Sequence, residues 1–278
     1  MRSFLFLCIL MLVLNGCSAP PSTPIPVATL MPTATAAPAP PEAPSGVPSD
    51  SGWQSVQPGV EVRRLRLSVA ESSPTLIHVL RFDPARVRFQ VGYAPDAPKT
   101  IGRWIEEQGA IAAINGGFFD PENRTVALLI MAGQAVGTSY TGRGGMFAVD
   151  QAGQVQVRGL AEQPYDTSEP LLEALQGWPL LVQRGGVAAY SYEDGERARR
   201  SAVARDRAGR VLFIAVTSTR FTLAEFSTWL AQSDLDIDAA LNLDGGSSTG
   251  MMLRTSRLSD RVDAFVPLPI VLLVLPRA

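Results

Sequence analysis

Asp244 ends an apolar run, residues 237–243, and is followed by Gly245, Gly246, Ser247, Ser248 and Thr249. A carboxylate at the end of a buried strand is held on a rigid scaffold, where groups that do chemistry are often placed. The glycines allow backbone conformations closed to other residues and let a ligand approach the main chain. The N–H groups and hydroxyls of Gly245 to Ser248 suit one bound anion. A second stretch, residues 112–120, repeats the design: apolar residues, then Asn115, Gly116, Gly117, Phe118 and Phe119. Either motif alone reads equally well as a tight turn, whereas two in one chain point to a site. Arg199 and Arg200 lie in a short basic stretch, and either has the planar fork that pairs a phosphate oxygen pair.

Strands must deliver these residues. Residues 60–67 alternate apolar and charged side chains, and 76–82 and 87–93 continue the pattern, which predicts an antiparallel meander. Further strands are expected at 110–114, 126–131, 146–149, 155–157, 180–182, 211–216, 237–243 and 271–275. Helices are expected at 101–108, ended by Gly109, and at 169–176. A third opens at Thr222, where Glu225 completes a capping box, and runs to about Ser233. The expected class is α+β: mixed, mostly antiparallel sheets with two or three packed helices, in one domain over residues 53–278.

Composition narrows the function. The formal charge is −2, and no basic cluster stands out beyond Arg197, Arg199 and Arg200, so nucleic acid is not an expected partner. His78 is the single histidine, and a Ser-His-Asp triad or a His-rich metal site would have to rest on it. It lies in a strand-like run and reads as structural. A two-metal phosphoesterase is disfavoured by the same scarcity and by unclustered carboxylates.

The N-terminus carries an address. Arg2 precedes an apolar stretch, 4–14, too short to span a membrane, and Leu14-Asn15-Gly16-Cys17 resembles a bacterial lipobox. Residues 1–16 are expected to be a lipoprotein signal peptide, with lipid on the Cys17 sulfur. Ordinary secretion and an uncleaved anchor are the alternatives. Cys8 would leave with the signal, so no internal disulfide is expected. Residues 17–52 are rich in Pro, Ala, Thr and Ser and form a linker without a core. The expected location is the cell membrane, lipid-anchored on the extracytoplasmic side.

Four stretches in order carry a resemblance: Asn115-Gly116-Gly117-Phe118-Phe119, Arg200-Ser201-Ala202-Val203, Thr222-Leu223-Ala224-Glu225-Phe226, and Asn242-Leu243-Asp244-Gly245-Gly246-Ser247-Ser248. Together they resemble the phosphodiester glycosidase family, over residues 60–275. Ser201 replaces the usual Thr, Ala204 the usual Gly, and two glycines rather than three precede the serines. An Asp-Gly-Arg stretch before the helix is replaced by Ser218-Thr219-Arg220. These departures bear on the substrate, not on the fold.

The resemblance implies hydrolysis of a sugar C1–O–phosphate bond in envelope glycan or exopolysaccharide. Asp244, Asn115 and Arg200 are the catalytic candidates, with Asp244 as nucleophile or as stabiliser of an oxocarbenium-like centre. Asn242, Gly116, Gly117, Gly245, Gly246, Ser247, Ser248 and Ser201 are the substrate-binding candidates. Asn115 and Asn242 would bond sugar hydroxyls or position water. Phe118 or Phe119 would floor a sugar ring or belong to the core. Asp120 is the second carboxylate candidate or a turn residue, and Glu225 reads as a helix cap. A departing phosphate monoester needs no strong general acid. No cofactor is expected, with a single divalent cation at Asp244 left open. Two rivals remain: a non-catalytic lipoprotein that binds anionic glycan, and a phosphodiesterase that cleaves P–O.

Overall fold

The segments of alternating polarity pair as antiparallel strands, and the computed structural model arranges them in one eight-stranded and two five-stranded sheets. It describes residues 49–69 and 72–277; the signal segment, Cys17 and the linker up to residue 48 lie outside the described residues. Asp50 already belongs to the folded unit, because it bridges to Leu65 and its carboxylate pairs with Arg63.

The large sheet begins as a meander, Gln54–Gln57, Val60–Val69 and Ser72–Phe82. It continues through Val211–Phe221, Ala198–Asp206, Ile237–Asn242, Leu180–Gln183 and Val187–Ala188. A second sheet runs Gln134–Val136, Leu129–Met131, Leu171–Gly177, Gly145–Asp150, Val155–Gly159. The third runs Ser259–Val262, Met251–Arg254, Ala112–Asn115, Ile270–Pro276, Val87–Tyr93. The expected meander therefore breaks after Phe82: Val87–Tyr93 crosses to the third sheet and pairs with Ile270–Pro276.

That crossing builds the core. Phe82 and Phe213 of the large sheet meet at 5.1 Å between ring centroids, Phe82 meets Phe89 of the third sheet at 6.2 Å, and Phe89 meets Phe147 of the second at 5.6 Å. The interplanar angles, 82°, 64° and 72°, are edge-to-face, the arrangement that the ring quadrupole favours. One aromatic cluster thus ties all three sheets together.

Two α-helices are present among the described residues, so the fold is sheet-dominated rather than an even α+β mixture. Thr100 caps Ile101–Gln108, and Gly109 ends it in the left-handed conformation. The expected capping box is present at the second helix, Leu223–Gln232: Thr222 accepts from the Glu225 amide, and Glu225 accepts from the Thr222 amide. Its Phe226 and Leu230 are fully buried against the large sheet.

The helix expected at 169–176 is instead the strand Leu171–Gly177. Leu, Glu, Ala and Gln are good helix formers, but this segment has open ladder partners on both sides, Gly145–Asp150 and Leu129–Met131. Glu173, buried within it, accepts from the Val91 and Ala132 amides. Burial pushes its carboxyl pKa up, while those amides oppose the shift. Tertiary pairing overrides local propensity here.

Phe213→Ala removes the ring that touches both Phe82 and Phe89 and should cost about 3–5 kcal/mol, read as a lower urea midpoint.

Candidate active site

Two sheets meet at Asp244. The strands Ala198–Asp206 and Ile237–Asn242 pair with Ala202 opposite Asn242. Continuing that register by two residues places Arg200 across from Asp244. From the third sheet, Ala112–Asn115 ends at the same point, and the Asp244 amide donates to Gly116 O at 3.0 Å.

Asn115 clamps the turn at both ends. Its Nδ2 donates to Asp244 O at 2.7 Å, and its Oδ1 accepts from the Gly250 amide at 3.1 Å. The side chain is buried, so its amide is committed to positioning the turn. Ser201 is buried too and donates its hydroxyl to the same Asp244 carbonyl at 2.7 Å. Asn242 donates to Trp178 O at 2.8 Å, and its buried Oδ1 has no partner among the described residues.

Gly116 and Gly117 are buried spacers. A Cβ on Gly116 would stand 2.3 Å from Ile270 Cγ2, and one on Gly117 would stand 2.5 Å from Gln176 O. Their Cα faces therefore meet protein rather than a ligand. Gly246 differs: its φ is 59°, which favours glycine, and nothing lies within 4 Å of its Cβ direction. It opens a 3₁₀ turn, Gly246–Ser248. Among the described residues, the Gly246 and Ser247 amides have no protein acceptor.

Asp244 itself is partly buried. Its Oδ1 accepts from the Gly245 amide at 2.9 Å. Burial pushes the carboxyl pKa up, while the Ser248 hydroxyl and the Gly245 amide pull it back. Arg200 is 8% exposed and donates to two carbonyls, Phe221 O at 3.1 Å and Glu196 O at 2.6 Å. Its Nη1 stands 3.9 Å from a Cβ built on Gly245, so the guanidinium borders the turn. Burial lowers its pKa, an effect that Asp194 and Glu196 oppose. Among the described residues Arg200 has no carboxylate at ion-pair distance, Asp244 included. A carboxylate and an unpaired guanidinium thus flank one glycine turn without neutralising each other.

Beside the turn, Phe119, Asn123, Ser247, Ser248, Val266 and Pro267 line an open cleft of about 410 Å³, with Pro98. Phe119 is half-buried there, within reach of a bound molecule. Asp120 is a turn residue: its Oδ1 accepts from the Glu122 and Arg124 amides. Glu225 caps its helix and pairs with Arg197. His78 is structural, buried against Asp260 at 3.0 Å. Among the described residues no group of three or more His, Cys, Asp or Glu is placed to hold a metal ion.

The sequence left Phe265, Trp178 and Tyr190 unassigned. The Phe265 amide donates to Ser247 O at 2.7 Å, and its ring lies over the Arg199 guanidinium at 4.2 Å. Trp178 stands edge-on to Tyr190 at 5.4 Å, beside Asn242. An aromatic residue next to an Asp-Ala or Gly-Trp step carries no periodic signal, and long-range pairing alone brings these to the turn.

The family model for phosphodiester glycosidases matches residues 108–274. No curated protein matches. Among solved structures, the zebrafish N-acetylglucosamine-1-phosphodiester alpha-N-acetylglucosaminidase catalytic domain, auto-inhibited by its pro-peptide, is similar with a TM-score of 0.62. Identity is 18%, over 84% of this chain and 85% of that one. A hypothetical protein from Synechocystis has a TM-score of 0.53 and 16% identity, over 79% of this chain and 62% of that one. A protein from Burkholderia pseudomallei has a TM-score of 0.54 and 14% identity, over 73% and 74%. At these identities the structural likeness speaks to the fold.

The buried carboxylate gives a stability test. Its raised pKa means that the folded chain holds the Asp244 proton more tightly than the unfolded chain. Stability from this group is therefore complete below the ordinary value of 3.8 and falls as pH rises through the raised one. Asp244→Asn should melt higher than the native chain at pH 7, and thermal melts should converge as the pH drops below 3.8. A gap independent of pH would contradict the assigned cause.

Proposed function

The chain belongs to the phosphodiester glycosidase family, and from that premise we propose that it hydrolyses glycosyl phosphodiesters between the sugar C1 and the phosphate oxygen. The observation that carries this reading is the separation of charge at the turn. Asp244 and Arg200 face the same glycines, and neither satisfies the other. A phosphodiester has one negative charge, which suits Arg200 Nη1 and the free Gly246 and Ser247 amides. The sugar ring then lies toward the cleft at Phe119, with C1 facing the Asp244 carboxylate.

In this arrangement the Asp244 carboxylate stabilises the positive charge that develops at C1, as nucleophile or as counter-charge. The C1–O bond breaks, and its electron pair leaves on the phosphate oxygen. Water oxygen ends on C1, and the water proton passes to the phosphate monoester or to solvent. Arg200 and the two amides stabilise the departing charge, which makes a strong general acid unnecessary. Asn115 and Ser201 act by holding the Asp244 carbonyl, and Asn242 by holding Trp178 O beside the turn; they are positioning residues. A single divalent cation at Asp244 belongs to the same proposal as an optional ligand, and a chelator arm in the assay reads it.

The substrate class we favour is envelope glycan or exopolysaccharide with sugar-1-phosphodiester links. Cys17, after residues 1–16, would carry the lipid that holds the domain on the extracytoplasmic face of the membrane. Metabolic labelling with a fatty acid should mark the native chain and spare Cys17→Ala, which should move to the soluble fraction. Label that persists in the variant would remove the anchor from the proposal.

Turnover of a simple glycosyl-1-phosphodiester in ¹⁸O-water tests the chemistry. The label should appear on the sugar, and Asp244→Asn should lower kcat by about 10³-fold or more. Label on the phosphate would instead establish cleavage at P–O. Saturable binding without turnover, equal in both proteins, would establish a glycan-binding protein.

A further inference from the structure

Arg199 has no role in the chemistry so far, yet its environment is anomalous. It is 7% exposed, and its Nη2 donates to Asp263 O at 2.8 Å. Its Nε and Nη1 are fully buried and, among the described residues, have no hydrogen-bond partner. Among the described residues it has no carboxylate at ion-pair distance, and the nearby Asp263 carboxylate is taken by Arg261. Each orphaned buried donor forfeits its hydrogen bond to water without replacement, and the buried charge adds to that cost. Holding one carbonyl does not require a guanidinium, and cation–π contact with Phe265 offsets only part of the cost.

Its placement gives the charge a use. A Cβ on Gly245 would stand 3.0 Å from the Arg199 backbone carbonyl and 3.9 Å from Arg200 Nη1, so the turn packs against this stretch of strand. Phe265, whose ring covers Arg199, donates its amide to Ser247 O in the same turn. That ring is 73% exposed and closes nothing else in the core. The ring thus lies across the face of the Arg199 guanidinium, on a residue whose backbone is bonded to Ser247 of the turn.

We propose that Arg199 is a second anion-binding residue of this site, screened by Phe265, and that it selects substrates with a further phosphate or carboxylate beside the scissile phosphodiester. The inference rests on the hydrolase reading for the word substrate, but the binding it predicts does not need turnover. Arg200 takes the phosphodiester, and Arg199 takes the second group through a charge-assisted hydrogen bond from Nε or Nη1, the donors that it leaves unused while Nη2 holds Asp263 O. The displaced Phe265 ring then lies against the ligand rather than the cation.

Calorimetric titration of the detergent-solubilised full chain with inorganic phosphate and with pyrophosphate, at fixed salt, tests it. Pyrophosphate should bind at least about 10-fold tighter than phosphate, the effect of one added charge-assisted contact. Arg199→Gln should erase that preference and keep phosphate binding within about twofold. Arg199→Lys, which keeps the charge but not the fork, should retain part of the preference and covers a Gln variant that fails to fold. Equal affinities in the native chain would overturn the proposal, as would a preference that survives in a folded Gln variant. Matched glycosyl phosphodiesters, with leaving alcohols that are neutral, carboxylated or phosphorylated, then name the second group by kcat/KM. Hydrolysis of all three at one rate would sink the subsite and spare the hydrolase reading. Selective binding with no hydrolysis would do the reverse.

Discussion

The amide of Asn115 is the joint on which the site depends. One side chain, from the third sheet, holds the carbonyl of Asp244 and the amide of Gly250, the two ends of a turn that leaves the large sheet. Those two bonds are buried, so each is hard to replace by water and expensive to leave unmade. The neighbouring glycines make the joint possible: Gly116 lets Ile270 approach, and Gly117 lets the Gln176 carbonyl approach. Removing a side chain at these positions is what brings three sheets close enough to share one polar corner.

That corner is costly in a way that favours function. Asp244 is partly desolvated without an ion pair, Asn242 Oδ1 is buried without a partner, and Arg199 and Arg200 are buried cations without carboxylates. Several buried charges elsewhere are paired, as at Arg63 with Asp50 and Asp234, or Asp206 with Arg210, while Glu173 is held by two backbone amides. Unmet polarity at this corner stands where charge must be ready for a ligand, and the aromatic cluster of Phe82, Phe89, Phe147 and Phe213 contributes stability.

Much of this was legible in the sequence, for local reasons. The capping box at Thr222 and Glu225, the helix stop at Gly109 and the run into Asp244 are short-range signals, and each appears in place. Residues 169–176 misled because helix propensity is also local, while the pairing that made them a strand came from neighbours more than twenty residues away. Asn115 was legible as a site residue but not as a clamp, since a side chain that bonds sugar and one that bonds backbone look alike in a string of letters. Phe265 was dark for a related cause, and Arg199 was legible only as an alternative to Arg200. Their meaning lies in which donors stay unused, and that is a property of packing.

The strand Ile270–Pro276 lies between Ala112–Asn115 and Val87–Tyr93, in the interior of its sheet. Ala112–Asn115 therefore has Met251–Arg254 on one side but lacks its other neighbour until residues 270–276 have been made. On a nascent chain the large sheet's opening meander can form early, but the polar corner must wait for the last strand. Biosynthesis thus imposes an order of events: the opening meander can pair first, and the third sheet closes around Ala112–Asn115 only with its latest strand.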